Sequence, residues 1–133
     1  MSPPSRAQNL AAIAYGLPFV WVGIQHFVNP EPFFPIVPTY LGWPEFWVHI
    51  TGWTEVGVGI GIMIPRTRRL CATLMIAQLL LLYLGNLHMW VNDVAFNGHR
   101  FGPLGHAVRL AVQLGLIGLA AWIRAVAPGR APD

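Results

Sequence analysis

The stretch LCATLMIAQLLLLYLGNLHMWVN, residues 70–92, carries no Asp, Glu, Lys or Arg. As a helix it would extend about 34 Å at ~1.5 Å per residue, enough to cross a hydrocarbon core of roughly 30 Å. So long an uncharged run sets the class of the whole chain, which is helical and membrane-bound. Outward from it, residues 7–30 are also free of charge, while residues 45–65 hold Glu55 and residues 103–125 hold Arg109 within otherwise apolar runs. The chain therefore reads as one domain over residues 1–133, an all-α integral membrane four-helix bundle with spans at about 8–28, 45–65, 69–92 and 103–125. Composition agrees. With 55% hydrophobic residues, 10% charged residues and a mean hydropathy of +0.53, there is too little polar surface to coat a water-soluble globule.

All eight basic residues are arginines. Arg6, Arg66, Arg68, Arg69, Arg124 and Arg130 fall at the two termini or in the loop between the second and third spans, which share one side in a four-span topology. The opposite side holds Arg100 with Glu31, Glu45 and Asp93. An excess of arginine on one side marks the cytoplasm. Both termini are therefore expected inside, in a multi-pass protein of the bacterial cytoplasmic (inner) membrane. The sequence pI of 9.8 reports this topology; the arginines make no continuous patch, so nucleic acid is not an expected partner. The first apolar run carries Pro18 and lacks a small-residue cleavage site after it, so it is read as a retained span and not a signal peptide. A single cysteine, Cys71, leaves no internal disulfide and no two-cysteine relay.

Caps and turns fit the spans. Pro44 with Glu45 suits the first turn of the second helix and Pro103 that of the fourth, while Pro128 and Gly129 close the fourth. The tight loop PRTRR, residues 65–69, folds the second and third helices into an antiparallel hairpin. Loop one, residues 29–44, has five prolines, which deny it a continuous helix. Its Phe33, Phe34, Tyr40 and Trp43 suit the headgroup level, where the loop would lie as a short lid. Gly57 and Gly61 have small-xxx-small spacing, which favours close packing inside the bundle.

The polar residues are lopsided. Counting from Glu45, Glu55 lies about 15 Å down, near the bilayer centre, and Arg109 about 9 Å down on the same arithmetic. A lone buried charge costs several kcal/mol, so each is expected to turn inward and pair with the other. His106, Arg109 and Gln113 share one face of the fourth helix, and Gln78, Asn86 and Asp93 one stripe of the third. Glu55, Arg109 and His106 are the candidate catalytic residues; His26, His49, Thr51, Asn86, His88 and Gln113 are the candidate ligand-binding residues. Nearly all lie in the outer half, which favours a polar pocket open to that side and roofed by loop one. His99, in the loop NGHR at 97–100, is expected to be solvated. The histidines show no i, i+4 pair and no compact metal motif, so zinc, copper or haem iron is a weaker fit than an organic ligand.

Three stretches carry a family resemblance: GIQHFVNPEPFFPIVPTYL at 23–41, GWTEVGVGIGIMIPRTRRL at 52–70 and LGNLHMWVN at 84–92. In order and content they resemble the DoxX-like four-helix membrane proteins, with Gly85 standing where that family has an alanine. The likeness spans roughly residues 15–95 and is only general in the fourth helix. It implies a membrane redox role, since the founding member is a membrane subunit of a thiosulfate:quinone oxidoreductase. A quinone is then the expected ligand or cofactor, with a soluble oxidoreductase subunit and a homo-oligomer as expected assemblies. Two other readings stay open. One is a self-contained membrane enzyme in which Glu55 moves protons on a lipid-soluble substrate; the other is a structural or assembly subunit in which the polar cluster fixes helix register. Whether the chain is itself a catalyst is not decided by sequence.

Overall fold

The computed structural model describes residues 3–128. Helices α1 (Arg6–Val28), α2 (Pro44–Met63), α3 (Arg68–Val91) and α4 (Gly102–Val126) make up most of it. Two short 3-10 turns, Glu31–Ile36 and Thr39–Leu41, lie in the α1–α2 connection. A capping box starts α1: the Ser5 hydroxyl accepts from the Gln8 amide at 3.2 Å, and the Gln8 side chain accepts from the Ser5 amide at 2.9 Å. Proline occupies the first turn of both α2 and α4. Pro128 follows the end of α4, whereas Gly129 and Arg130 fall outside the described residues.

Three helices, α1, α3 and α4, are long and apolar enough to cross a membrane. At 20 residues α2 is long enough as well, but His49, Thr51, Thr54 and Glu55 dilute its apolar character. The outward faces carry exposed Leu10, Leu17, Trp21, Leu81, Leu104 and Leu114. In water such a surface would drive aggregation; against lipid it is the expected arrangement.

The most extensive contact joins α1 to α2 in antiparallel fashion, and glycine makes it close. A methyl group on Gly23 would stand 2.9 Å from the Gly52 carbonyl oxygen, and one on Gly59 3.0 Å from that of Gly16. Gly16 and Gly23, like Gly52 and Gly59, are one heptad apart, so both pairs lie on a single seam. Backbone meets backbone there. The sequence reading favoured Gly57 and Gly61 for this role. Gly61 does pack closely, against Cys71 of α3, but Gly57 faces open space.

Arg68 closes the hairpin end. Only 2% exposed, it folds back to donate from Nε to the Ile62 carbonyl at 2.8 Å and from Nη2 to the Met63 carbonyl at 3.0 Å. Its Nη1 reaches Asn9 of α1 at 3.0 Å. The last carbonyls of a helix have no partner within it and carry partial negative charge, so a guanidinium is well matched to them. Thr67 assists by donating to the Gly61 carbonyl at 2.7 Å. Beyond this end, Ala12, Tyr15, Phe19, Ile62, Met75, Leu79, Ala120 and Ile123 build a hydrophobic core. Here α4 lies along α3 and touches α1 only lightly.

Gly23→Ala is expected to lower unfolding stability in detergent micelles by about 1–3 kcal/mol, the usual cost of overpacking. Gly57→Ala, with no neighbour in reach, should be neutral or gain up to about 1 kcal/mol from the reduced freedom of the unfolded chain. Equal losses in a denaturant titration would contradict the seam.

Candidate functional site

Glu55 sits near the middle of α2 and is 4% exposed. Its Oε2 lies 3.3 Å from Nδ1 of His26 on α1. The Gly23–Gly52 contact explains how two residues on different turns can meet. Side chains lean toward the N-terminus of their own helix. In an antiparallel pair His26 therefore leans toward the level of Glu55, and Glu55 toward that of His26. They meet across the glycine contact. Gly52 makes room, because a side chain there would strike the His26 Cβ.

The His26 Nδ1 is also 2.8 Å from the Val22 carbonyl, which can only accept, so Nδ1 carries the hydrogen. That hydrogen is directed at Val22, and Oε2 of Glu55 has no hydrogen-bond partner among the described residues. Loop one covers the pair. The Phe33 ring stacks on His26 with centroids 3.9 Å apart and meets Phe96 edge-on at 5.4 Å. Ile36 lies over Gly85, where a methyl group would stand 2.9 Å from its Cγ2. An alanine at this position would crowd the Ile36 side chain.

Glu55 also lines a cavity of about 400 Å³ between α1 and α4. Tyr15 and Phe19 form its inner wall, Leu116 and Leu119 its α4 side, and Ala11, Ala14, Pro18 and Val22 its α1 side. Ala14, Pro18, Val22 and Leu119 are exposed, so the mouth opens on the flank of the bundle. The sequence pointed to a polar pocket opening at the loop end. The observed cavity is apolar and lateral, because α1 is drawn against α2 and away from α4.

No ion pair joins Glu55 to Arg109. With α4 laid along α3, Arg109 finds its partners there: Nη2 donates to Asn86 Oδ1 at 2.6 Å, Nη1 lies 3.1 Å from the Met89 sulfur, and the guanidinium is 4.8 Å from the Phe101 ring centre. Asn86 in turn donates to Gln113 Oε1 at 3.2 Å, and Gln113 Nε2 donates to the Leu79 carbonyl. This is a chain of polar contacts that stitches α3 to α4. His106 is buried beside it, stacked parallel to Trp90 at 5.8 Å, with Nε2 4.0 Å from Asp93 Oδ1.

The remaining candidates do not converge on either group. His49 is exposed and stacks on Phe27 at 5.6 Å, Thr51 donates to the Trp47 carbonyl at 2.8 Å, and His88 Nδ1 faces the Asn92 amide at 3.0 Å. His99 is exposed in a two-residue turn whose Asn97 and Gly98 both have positive φ, the geometry Asn-Gly favours. Among the described residues no three His, Cys, Asp or Glu side chains gather as a metal site would require. Sequence reasoning passed over Tyr15, whose hydroxyl donates to the Leu116 carbonyl at 2.8 Å and ties α1 to α4 at the cavity. A lone tyrosine on an apolar helix gives no periodic signal. Pro18 enters the sequence reading only as a sign that the first apolar run is a retained span.

The α3–α4 chain can be tested by a double-mutant cycle. Asn86→Leu leaves the Arg109 guanidinium without its oxygen acceptor and should cost about 1.5–3 kcal/mol of unfolding stability in micelles, the range for hydrogen bonds to charged groups. Arg109→Leu should cost less, and the double variant no more than Asn86→Leu alone. Strict additivity would show that the two side chains do not act together.

Neither a curated protein nor a solved structure matches the chain. A family profile does match, over residues 15–124, a span that includes Tyr15, Glu55 and the α3–α4 contacts. The chain belongs to that family, described as a domain of unknown function (DUF8561).

Proposed function

We propose that this protein is a four-span membrane protein, with both termini in the bacterial cytoplasm, that binds a lipid-soluble amphipathic ligand in the cleft between α1 and α4. The observation that carries this reading is Glu55, a buried carboxylate with an unpartnered oxygen, lining an apolar cavity of about 400 Å³ that opens sideways. A carboxyl group at mid-membrane depth is costly, and one that faces a cavity is by default a functional-site candidate. α2 serves as the fourth span because its most polar interior group, Glu55, is buried behind the cleft and does not lie on the outer surface of the bundle. The ligand reaches the cleft from the bilayer, with its apolar body against Phe19, Leu116 and Leu119 and its polar head at Glu55. The resemblance to DoxX-like proteins makes the quinone pool the leading source of that ligand and a soluble oxidoreductase the leading partner. Arg109, Asn86, Gln113 and His106 then hold α4 in place and do not touch the ligand.

The 3.3 Å approach of His26 to Glu55 favours a second reading. The two groups could pass a proton to or from a bound lipid-soluble substrate, which would make the chain an enzyme in its own right. In that case Glu55→Gln would bind ligand yet turn none over.

Native mass spectrometry of the detergent-purified protein with added decylubiquinol tests the cleft. Leu116→Trp, which fills it, should weaken retention at least about tenfold, near 1.4 kcal/mol, while helix content by circular dichroism stays unchanged. Undiminished retention in a folded Leu116→Trp protein would place the ligand elsewhere.

A further inference from the structure

Among the described residues the acidic side chains are Glu31, Glu45, Glu55 and Asp93. None of them stands at the end of the bundle where α1 begins, α2 turns into α3 and α4 stops. Arg6, Arg66, Arg69 and Arg124 are exposed there, and of the described arginines at this end only Arg68 is buried. An excess of arginine on one side marks topology, which depends on number alone. Two of these arginines are also positioned. From the last turn of α4, Arg124 donates through Nε to Thr73 Oγ1 on α3 at 2.8 Å. The Thr73 hydroxyl gives its own hydrogen to the Arg69 carbonyl at 3.0 Å, which leaves its oxygen to accept. Nε is thereby held, while Nη1 and Nη2 make no hydrogen bond among the described residues. Arg69 lies four residues before Thr73, on the same face of α3 and one turn nearer the end. Ion pairs among the described residues engage only His26, Arg100 and His106 as basic partners. Two cations therefore share this face with no carboxylate between them, and like charges so placed repel.

The face continues into the bilayer as Ala77 and Leu80, which follow Thr73 at helical spacing and are both exposed. From Arg69 to Leu80 it is cationic, then hydroxylic, then apolar over about 16 Å, close to half of a ~30 Å hydrocarbon core. A phospholipid in one leaflet has the same profile. We infer that this end of the α3–α4 seam binds an anionic phospholipid, its phosphate between the guanidinium groups of Arg69 and Arg124 and an acyl chain along Ala77 and Leu80. A guanidinium offers paired N–H donors that match two phosphate oxygens. Thr73 fixes Arg124 beforehand, so less side-chain freedom is lost on binding. Basic pockets between membrane helices on the cytoplasmic side take anionic head groups in this way. The site faces α3 whereas the cleft faces α1, so the inference is independent of the cleft and rests only on the bundle lying in a bilayer.

The test is native mass spectrometry of the detergent-solubilised full chain with dioleoyl phosphatidylglycerol and dioleoyl phosphatidylcholine added in equal amounts, using variants whose helix content by circular dichroism matches wild type. Preferential retention of phosphatidylglycerol is expected. Arg69→Gln and Arg124→Gln should each weaken it at least about tenfold, the scale of a lost charge-assisted hydrogen bond. Arg6→Gln removes the same charge from α1 and should cost no more than about fivefold, as the loss of any surface charge does. Thr73→Val keeps every charge yet releases Arg124, and should also weaken retention. Leu116→Trp, in the cleft, should change nothing. Excess inorganic phosphate should fail to displace the lipid; displacement would make a free anion the occupant and overturn the lipid assignment. Equal losses in Arg6→Gln and Arg124→Gln, with Thr73→Val like wild type, would show diffuse surface charge and overturn the site. Equal retention of the two lipids would overturn it as well, and loss in Leu116→Trp would do so by placing the lipid in the cleft.

Discussion

Two helix backbones can touch only where neither residue at the crossing carries a Cβ, and α1 and α2 do so at two levels, Gly16 with Gly59 and Gly23 with Gly52. Much of the rest follows from that contact. Because it is antiparallel, side chains three residues beyond each glycine at the second level lean toward one another, and His26 meets Glu55. Because it holds α1 against α2, α1 stands off from α4, and the gap becomes a lateral cleft with Glu55 behind it. Bulkier residues on the seam would separate the helices and dissolve the pair and the cleft together.

The bundle is thus two helix pairs held by different physics. α1 and α2 are joined by close van der Waals packing of glycine against backbone, the main source of helix association where lipid removes the hydrophobic drive. α3 and α4 are joined by the polar chain from Arg109 through Asn86 and Gln113 to the Leu79 carbonyl. Arg68 links the pairs at the hairpin end, bridging the last carbonyls of α2 to Asn9 of α1 from its place on α3. Loop one links them at the other end, with Phe33 on His26 and Ile36 over Gly85.

The helices were legible because charge-free runs of more than twenty residues and prolines at their starts are strong one-dimensional signals. Burial of Glu55 was legible for the same reason, since a carboxylate inside an apolar run must turn inward. Its partner was not. Depth counted along a helix placed Arg109 within reach, but which helices neighbour each other at that depth depends on the glycine seam, and the sequence offered Gly57 and Gly61 as readily as Gly16, Gly23, Gly52 and Gly59. Arg68 misled in another way: it belongs to a cluster of arginines that marks topology, and nothing in its neighbours shows that it alone folds back as a buried cap. The cleft was invisible because it is the space left where two helices fail to pack, which no residue type encodes.

Lipid-side access to Glu55 is the centre of the account. It is tested most directly by a nitroxide at Ala14→Cys, on the rim of the cleft, in protein reconstituted into liposomes, with power-saturation electron paramagnetic resonance reporting which relaxation agent reaches it. Relaxation dominated by oxygen, with a nickel chelate nearly excluded, is the predicted result, in contrast to a label at Glu31→Cys in loop one. Access of the chelate to Ala14 equal to that at Glu31 would mean that the cleft opens to water, and the lateral route to Glu55 would be wrong.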